Sequence, residues 1–408
     1  MKKVFWFINQ YSSTPEVGLG GRHYYLAEEL AEEGHKVYVI ASSYNHLRRD
    51  NTKQTQELKV EKISKNLDFV WVKVPRYHGA HSKARTLNWF IFSAKLRKLT
   101  SLGLDQPDVI LYSSPSVFGY FGSKYLADFY KKPLVFEVRD IWPLTLIELG
   151  GYSPKHPFIK LMQWIEDKAY KESDFVFSTL FNAVEHMQSR GMSKDKFHWI
   201  PNGFSLKEVS KREPLDTSIL DIIPKDKFLI GYTGTIGIAN AINDLIEAAK
   251  ILKPYKDIHF LLVGNGKEKK DLIELTHKYG LENVTFIDAI PKRQVQSIIE
   301  FFDICFIGSQ NKSIYRFGVS PNKIPEYLYS GKPIIHAFSG VGCLIKQANA
   351  GLSFESGDPI KISQAILELY DCPDKERNEM GDRGKRFALD FLDYKVISKK
   401  LTSILFGE

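Results

Sequence analysis

The chain has 408 residues, of which 43% are hydrophobic and 25% are charged, and its formal net charge is +8. A chain of this length is too long to fold around one ordinary hydrophobic core, which predicts two domains. Its composition and the absence of repeats exclude a low-complexity chain or a solenoid. The positive charge favours an anionic partner, such as a diphosphate ligand, anionic lipid or nucleic acid.

The amino-terminal apolar run Val4–Ile8 is shorter than a secretion signal needs, so we predict that it forms a buried first strand. No run approaches the roughly 20 apolar residues of a membrane-spanning helix. The three cysteines, Cys305, Cys343 and Cys372, show no metal-binding spacing, which is typical of a reducing compartment. The sequence therefore predicts a cytoplasmic protein, which could also bind peripherally to the inner face of the membrane.

Short apolar runs alternate with helical periodicity along the first half of the chain, which predicts a parallel sheet covered on both faces. Two further runs without a helix between them predict an added hairpin. The predicted strands are Val4–Ile8, Lys36–Ala41, Val109–Tyr112, Leu134–Val138 and Phe175–Thr179, the helices include Gly20–Glu33 and Phe158–Lys171, and the hairpin pairs Leu58–Ile63 with Phe69–Val74.

The turn Gly18-Leu-Gly-Gly21 joins the first predicted strand to a helix. Glycines at this position let the backbone approach a ligand without a clashing Cβ, so Gly20 and Gly21 are candidate donor-binding residues. The alternative is an ordinary turn, because the glycine spacing differs from the dinucleotide-binding fingerprint.

The stretch from Phe69 to Leu104 contains no acidic residue. Aromatic and leucine residues recur within it at helical spacing, next to several cations. Such a helix suits an anionic lipid surface, and it equally suits a core-facing amphipathic helix with a solvated basic side. The candidate acceptor or membrane residues are Arg85, Trp89, Lys95 and Lys98.

The run Phe136-Glu-Val-Arg-Asp-Ile-Trp-Pro143 carries charged residues out of a predicted buried strand. Charges at the carboxyl end of a parallel strand are placed for a ligand crevice, which makes Arg139 and Asp140 candidate catalytic residues. The alternative is a surface ion pair of Arg139 with Asp140 or Glu137, which would contribute little to stability.

The strand–helix alternation breaks near Ile200-Pro-Asn-Gly203 and then restarts. We predict an α/β protein of two doubly wound, Rossmann-like domains, residues 1–203 and 204–380, followed by a helical segment, residues 381–408, that caps the second domain or crosses back to the first. The predicted strands of the second half are Phe228–Tyr232, His259–Val263, Val284–Ile287, Ile304–Ile307 and Pro333–His336.

Two stretches of the second half suit a nucleotide. The glycine loop Gly231–Gly237, with Gly234 and Thr235, follows a predicted strand. Ser320 and Pro321 predict a helix start, because serine caps helices and proline suits the first helical position.

The amides of this predicted helix start, at Asn322 and Lys323, would bind phosphate oxygens. Glu326 lies on the same helix face as Lys323 and could accept the ribose hydroxyls. The alternative is an ordinary capped helix with an exposed ion pair.

The sequence lacks an Asp-x-Asp pair, a His-Glu-x-x-His motif, a Gly-x-Ser-x-Gly elbow and a P-loop. It therefore offers no support for a carboxylate-held metal, a serine nucleophile or P-loop phosphoryl transfer. We predict no metal site and no cofactor.

These stretches in this order resemble glycosyltransferase family 4, retaining enzymes of the GT-B fold, over essentially the whole chain. The nearest branch is similar to the L-fucosamine transferases of O-antigen and capsule synthesis. The match is carried by Phe136–Pro143, Gly231–Gly237 and Val319-Ser-Pro-Asn-Lys-Ile-Pro-Glu-Tyr327.

The resemblance implies a retaining transfer of a sugar, expected to be an N-acetylated amino sugar, from a UDP-sugar to a glycan or lipid-linked saccharide. It implies an acceptor in the amino-terminal domain and the nucleotide sugar in the carboxy-terminal domain. Glu326 would contact the ribose, Lys323 would lie near the diphosphate or base, and Gly20 with Gly21 would close over the diphosphate.

Two departures from the family pattern keep alternatives open. Gly318 stands where many members carry the first glutamate of their Glu-x7-Glu motif, and Arg139 stands where many carry histidine. Arginine stays charged and cannot act as a general base, although it can stabilise a diphosphate. A non-catalytic nucleotide-sugar-binding scaffold and a GT-B sugar-nucleotide epimerase are the alternative functions. Nucleic-acid binding is disfavoured, because the basic cluster belongs to no recognised module.

Overall fold

A computed structural model describes residues 1–18, 20–49, 54–77, 79 and 82–407. The chain divides into two compact units, Met1–Pro201 with Tyr394–Glu408, and Asn202–Asp393. Each unit is built around a sheet with helices packed on it. Within the described ranges, no helix is long and apolar enough to cross a membrane.

The first unit contains an eight-stranded sheet of order β3-β4-β2-β1-β5-β6-β7-β8. All its neighbouring strands pair in parallel except β3 and β4, which are antiparallel, as predicted for the added hairpin. The strands are β1 (Val4–Ile8), β2 (Lys36–Ser42), β3 (Leu58–Lys62), β4 (Leu67–Val72), β5 (Val109–Ser113), β6 (Leu134–Val138), β7 (Phe175–Ser178) and β8 (Phe197–Trp199).

The helices of this unit begin where the sequence supplies a suitable first turn. Pro157 opens α5, and the His156 ring accepts a hydrogen bond from the Phe158 N–H. The helices are α1 (Arg22–Glu32), α2 (Lys83–Leu96), α3 (Gly119–Tyr130), α4 (Leu144–Glu148), α5 (Pro157–Glu172) and α6 (Ala183–Ser189).

The second unit contains a six-stranded sheet of order β11-β10-β9-β12-β13-β14, with all neighbours parallel. The strands are β9 (Phe228–Thr233), β10 (Ile258–Val263), β11 (Val284–Ile287), β12 (Ile304–Gly308), β13 (Ile334–Ala337) and β14 (Gly351–Phe354). The helices are α7 (Leu206–Ser210), α8 (Thr217–Leu220), α9 (Ile242–Ile251), α10 (Lys269–Tyr279), α11 (Val295–Ile299), α12 (Lys323–Ser330), α13 (Leu344–Ala348), α14 (Pro359–Asp371) and α15 (Asp374–Phe387). Two parallel-sheet α/β domains were predicted, and this prediction is confirmed.

The carboxy-terminal segment is two helices rather than one. α15 continues through a π-helical turn, Ala388–Leu392, and remains with the second unit. The last helix, α16 (Tyr394–Phe406), packs on α1 in the first unit, where Tyr394 stacks on Tyr25 with ring centroids 5.9 Å apart. The chain therefore passes from the second unit to the first between Asp393 and Tyr394.

Candidate functional site

The start of α12 differs from the sequence prediction. The helix begins at Lys323, its N-cap position is Asn322, and no side chain caps it. Ser320 was predicted as the cap, and that prediction is wrong because both of its polar groups bond to Asn202. The Ser320 hydroxyl accepts from the Asn202 backbone N–H at 3.1 Å, and its carbonyl accepts from the Asn202 amide at 2.6 Å. Asn202 thus fixes the approach to the helix and leaves its first turn without a side-chain acceptor.

Lys323 projects from the first turn of α12 toward the glycine loop after β9. Its Nζ donates hydrogen bonds to the Tyr232 hydroxyl at 2.8 Å and to Asn240 Oδ1 at 3.1 Å. Among the described residues, no carboxylate forms an ion pair with this ammonium. Burial lowers the pKa of Lys323 to about 7, because a cation removed from water without a counter-charge favours its neutral form.

The glycine loop is shaped around this lysine. Gly234 has a φ of 138°, and a Cβ placed on it would lie 3.1 Å from the Lys323 Nζ. Tyr232 donates from its hydroxyl to the Thr235 carbonyl at 2.7 Å, and Asn240 donates from its amide to the same oxygen at 2.9 Å. The structure therefore brings Gly234, Thr235 and Lys323 together.

Glu326 lies one turn further along α12 and keeps 15% of its side chain exposed. One carboxylate oxygen forms an ion pair with the Lys292 ammonium, and Gln296 donates to the Glu326 backbone carbonyl at 3.2 Å. Sequence reasoning did not identify Lys292, because it follows β11 in a polar turn that matches no motif. The carboxylate is thus oriented by a cation and still open to a ligand.

A cavity of about 300 Å³ opens beside the same loop of the second unit. Ile238 and Ala241 line it from the segment after the glycine loop, and Asp244 and Glu268 add carboxylates to its wall. No sequence motif pointed to this cavity. Its wall carries these two carboxylates and the Lys312 side chain, whereas the hydrogen-bond partners of Lys323 are neutral.

In the first unit, Gly20 and Gly21 precede α1 with φ values of 64° and 89°. The left-handed region favours glycine, and a Cβ on Gly21 would meet no atom within 4 Å, so the space beside it is open. Gly21 is the N-cap of α1 and supplies no side-chain hydrogen bond to the helix. No side chain therefore caps the first turn of α1, and the backbone at Gly21 is open on the side where a Cβ would lie.

Directly after this loop lies a buried ionic cluster that sequence reasoning missed. Arg22 donates from Nε to a Glu137 carboxylate oxygen at 2.9 Å and from its other nitrogens to the Pro201 and Ile200 carbonyls at 2.5 and 3.1 Å. The other Glu137 oxygen lies 2.9 Å from His23 Nε2 and accepts from the Ser113 hydroxyl at 2.7 Å.

Burial by itself would raise the pKa of Glu137. The Arg22 charge and the hydrogen bonds from His23 and Ser113 outweigh burial and hold this pKa below its usual range. Burial lowers the pKa of His23, so its ring is neutral at pH 7. The proposed pairing of Arg139 with Glu137 is wrong, since Arg22 occupies that carboxylate.

Arg139 and Asp140 follow β6 at the carboxyl end of the sheet. The Arg139 backbone N–H donates to the Ser114 hydroxyl at 2.9 Å, while its Nε is buried and has no hydrogen-bond partner. The Asp140 side chain is exposed. A buried guanidinium nitrogen without an acceptor is uncommon, which makes Arg139 a plausible ligand contact.

The candidate residues of α2 face several directions. The indole N–H of Trp89 donates to the Tyr11 hydroxyl at 2.7 Å, and Arg85 donates to the same oxygen at 3.0 Å. Only 5% of Trp89 is exposed, so the core-facing interpretation is correct for this residue. Lys95 and Lys98 both form ion pairs with Glu57.

Within the described ranges, no group of three or more histidine, cysteine, aspartate or glutamate side chains is arranged to hold a metal ion.

Comparison with known proteins gives two family matches. The Glycosyltransferase Family 4 profile matches residues 18–208, and the Glycosyl transferases group 1 profile matches residues 221–387. A protein of Escherichia coli strain K12 named as a colanic acid biosynthesis glycosyl transferase, WcaI, is 24% identical over 304 residues, which cover 71% of this chain and 74% of that protein.

A second relative is the GDP-mannose-dependent monoacylated alpha-(1-6)-phosphatidylinositol monomannoside mannosyltransferase of Corynebacterium glutamicum. It is 23% identical over 230 residues, which cover 53% of this chain and 58% of that protein. The match is thus partial for both sequences.

Several solved structures superpose on nearly the whole chain. Sucrose-phosphate synthase from Thermosynechococcus elongatus gives a TM-score of 0.74 at 16% identity and covers 99% of this chain and 98% of its own. HepE from Anabaena in complex with UDP gives 0.67 at 15% identity with full coverage of both chains. WaaG, a glycosyltransferase involved in lipopolysaccharide biosynthesis, gives 0.66 at 15% identity and covers 99% of this chain and 100% of its own.

Likeness at these identities concerns the fold, and it confirms the GT-B prediction. The narrower fucosamine transferase branch stays a prediction. The chain therefore has the GT-B fold and contains a Glycosyltransferase Family 4 domain over residues 18–208 and a Glycosyl transferases group 1 domain over residues 221–387.

Proposed function

We propose that this glycosyltransferase moves a sugar from a UDP-sugar to a glycan or lipid-linked saccharide acceptor, with retention at the anomeric carbon. The proposed setting is synthesis of a surface polysaccharide, O-antigen or capsule, and the proposed sugar is an N-acetylated amino sugar. The observation that supports donor binding is the partly buried Lys323 ammonium, which has neutral partners only and lies three residues before Glu326.

The surroundings of Lys323 favour an anionic ligand. Burying a cation beside a hydroxyl and an amide is unfavourable, because neither supplies a compensating charge. A diphosphate would supply that charge, and the start of α12 adds the positive end of the helix dipole. Gly234 leaves the space beside Nζ free of a side chain.

Glu326 suits the ribose in this proposal. A carboxylate accepts hydrogen bonds from two neighbouring hydroxyls, and the ion pair with Lys292 orients this carboxylate.

The choice of uridine rests on similarity. HepE has been solved with UDP and with UDP-glucose, which favours a uridine nucleotide. The Corynebacterium relative is named for its dependence on GDP-mannose, so guanosine nucleotides are the competing donors.

The reaction we propose needs no covalent enzyme intermediate. The bond between the anomeric carbon and the diphosphate oxygen breaks, and the acceptor oxygen forms its bond to the same face of that carbon. The acceptor proton passes to the departing diphosphate oxygen. Lys323 and the first amides of α12 stabilise the charge on the diphosphate, which is typically the largest catalytic contribution.

We assign acceptor binding to the first unit, at the carboxyl end of its sheet. Arg139 supplies a cation whose Nε has no partner, and Asp140 is exposed beside it. Gly20 and Gly21 of this unit stay predicted donor-binding residues. The proposal requires no metal ion, and peripheral contact with an anionic membrane would bring a lipid-linked acceptor within reach.

The test begins with the purified full chain. Its melting temperature is measured with UDP, GDP, UDP-N-acetylglucosamine and UDP-glucose, because a bound ligand stabilises the folded protein by mass action. We expect uridine nucleotides to raise the melting temperature more than GDP does. An equal or larger shift with GDP would overturn the uridine assignment.

Transfer is then measured with a UDP-sugar and lipid-linked saccharides, with and without EDTA. We expect product with retained configuration and no loss in EDTA. If the protein binds the donor but neither hydrolyses it nor transfers its sugar to any acceptor, the result would support the alternative of a non-catalytic scaffold. That alternative is open because Gly318 stands where many members carry a glutamate. Release of an altered nucleotide sugar without acceptor would support the epimerase.

A further inference from the structure

Three helices of the first unit present exposed apolar side chains that the donor site does not use. On each helix these residues are three or four apart and so share one stripe along its surface. The exposed members are Leu87 and Phe90 on α2, Tyr125 and Phe129 on α3, and Leu161 and Trp164 on α5. We call this surface the aromatic face.

Ring contacts make the aromatic face continuous across the helices. Phe118, just before α3, lies 4.2 Å from Phe90 and 5.7 Å from Phe158, measured between ring centroids. Phe121 of α3 lies 5.8 Å from Trp164 of α5. A groove of about 290 Å³ runs between these helices and is lined mainly by apolar side chains. Isolated exposed apolar residues are ordinary, whereas a contiguous patch marks an interaction surface.

Positively charged side chains outnumber negatively charged ones around the aromatic face. Residues 69–104, which include α2, contain no acidic residue, and neither do residues 149–165, which lead into α5. Arg97, Lys155 and Lys160 are exposed within these two stretches. The Arg97 guanidinium lies 5.0 Å from the Tyr125 ring centroid, at the edge of the face.

The acidic residues on the neighbouring helix surfaces are already paired. Asp128 forms an ion pair with Lys124 on α3, and Glu172 forms one with Lys168 on α5. The described side chains that remain without an ion-pair partner around the aromatic face are therefore mostly cations. A partner that fits an apolar face with a cationic edge must itself be both anionic and apolar.

We propose that the aromatic face docks on an anionic lipid bilayer. Phe90, Leu161 and Trp164 would enter the interface between headgroups and acyl chains, while Arg97 and Lys160 contact lipid phosphates. This docking surface deepens the membrane contact of the proposed function and rests on it. It also replaces Trp89, Lys95 and Lys98 as contact residues, since the first is buried and the other two pair with Glu57.

A second copy of this chain fits the aromatic face less well. A two-fold contact sets each surface against itself, so it would bring Arg97 and Lys160 near cations of the same kind. Like charges brought together across an interface disfavour association, whereas lipid phosphates neutralise them.

The test measures sedimentation of the full chain with vesicles of phosphatidylcholine, alone or mixed with phosphatidylglycerol. We expect the protein to pellet with the mixed vesicles at low salt and to be released as salt rises, because screening weakens the contact. The double variant Phe90→Glu/Trp164→Glu should lose this binding, with a fall in the partition coefficient of about tenfold or more.

Two further variants control this test. Ile251→Glu/Ile360→Glu makes the same change of charge at exposed apolar positions of the second unit and should pellet like the wild type. Arg97→Gln/Lys160→Gln removes two cations without adding an acid, and it should weaken binding about tenfold or more, since each cation near an anionic surface contributes about 1 kcal/mol.

Three results would overturn the docking proposal. The wild type could fail to pellet with anionic vesicles, or the Phe90→Glu/Trp164→Glu variant could pellet as well as the wild type. Alternatively, the wild type could be a dimer in solution that this variant separates, without any vesicle binding, which would assign the face to a second copy. The UDP-induced rise in melting temperature is recorded for every variant, so a failure of the donor site is distinguished from a failure of docking.

Discussion

Each unit places a cation close to the start of a helix, Arg22 fully buried and Lys323 partly buried, and the two cations have opposite surroundings. Arg22 in the first unit contacts a carboxylate and two backbone carbonyls. Lys323 in the second unit contacts a phenol hydroxyl and an amide oxygen, neither of which carries a charge.

This difference in partners distinguishes a charged side chain that stabilises the fold from one that is available to bind a ligand. A buried cation such as Arg22, each of whose nitrogens meets an acceptor and one of whose acceptors is anionic, is compensated and stabilises the fold. A buried cation with neutral partners only is uncompensated, which is reflected in the lowered pKa of Lys323. Perturbed groups of this second kind are concentrated at functional sites.

The largest effect is expected for Arg22→Met. The substitution leaves the Glu137 carboxylate buried without its counter-charge, which should lower the free energy of unfolding by about 3–5 kcal/mol. Urea denaturation measures this loss. The matched control is Arg212→Met, which removes an arginine from the exposed pair with Glu300 and should change the free energy by less than about 1 kcal/mol.

A double variant sharpens this first prediction. Replacing both partners, as Arg22→Met/Glu137→Leu, removes the unpaired charge and should restore part of the lost stability. If Arg22→Met is as stable as the wild type, the cluster is not the structural ion pair described above.

Lys323→Met is expected to act on catalysis rather than on stability. Removing a cation that stabilises the departing diphosphate should lower kcat/KM for the sugar nucleotide by about 10²- to 10³-fold. The unfolding free energy should stay equal or rise, because an unpaired buried charge is removed. Lys270→Met, at an exposed site on α10, is the control and should change neither quantity. If the Lys323→Met protein is destabilised but fully active, Lys323 has a structural role and does not bind the ligand.

Glu326→Ala should chiefly weaken donor binding. The loss of hydrogen bonds to a charged group amounts to about 1.5–3 kcal/mol, or about 10- to 150-fold in the Kd for UDP. Isothermal titration with UDP and with the free base uracil distinguishes the ribose contact from contacts to the base. Uracil has no ribose, so its binding should not change in this variant. Normal UDP affinity and turnover in this variant would remove Glu326 from the site.

The pH dependence follows from the lowered pKa of Lys323, which lies at about 7. The diphosphate binds the protonated ammonium, so UDP affinity should fall by up to about tenfold for each pH unit above 7. The stability of the ligand-free protein changes with pH in the opposite direction. The unfolded chain holds this proton up to about pH 10.4, so deprotonation of the folded protein above pH 7 raises its stability.

Lys323→Met is the reference for both pH measurements, since it should lack both slopes. Titrations of UDP and urea denaturation curves between pH 6 and pH 9 provide the comparison. Parallel pH profiles for the wild type and the variant would show that another group controls the dependence.

The smallest effect is expected for Lys292→Met. Its ion pair with Glu326 is about half exposed on the lysine side, and such pairs contribute about 0–1 kcal/mol. We expect a similarly small loss of UDP affinity and no change in kcat. A larger loss would mean that Lys292 itself contacts the nucleotide.

The sequence alone predicted most of the strands and the glycine turns, although it missed the short strands β8 and β14. Apolar runs such as Val4–Ile8 and Phe228–Tyr232 predict buried parallel strands, because both faces of each strand must be apolar. The helix near Ser320 was also predicted, but its first residue was not. Ser320 bonds to Asn202, 118 residues away, and that contact has no local signature.

Only the tertiary structure decided which charges are compensated and which helix faces are covered. Glu137 lies 115 residues after Arg22, and Tyr232 lies 91 residues before Lys323, so neither pairing follows from spacing along the chain. Helical periodicity in α2 shows that one face is apolar, whereas contacts with Phe118 and Trp142 cover Trp89. Phe90, the next residue, remains exposed. Local patterns report the environment that a residue requires, and packing between distant segments determines which partner supplies it.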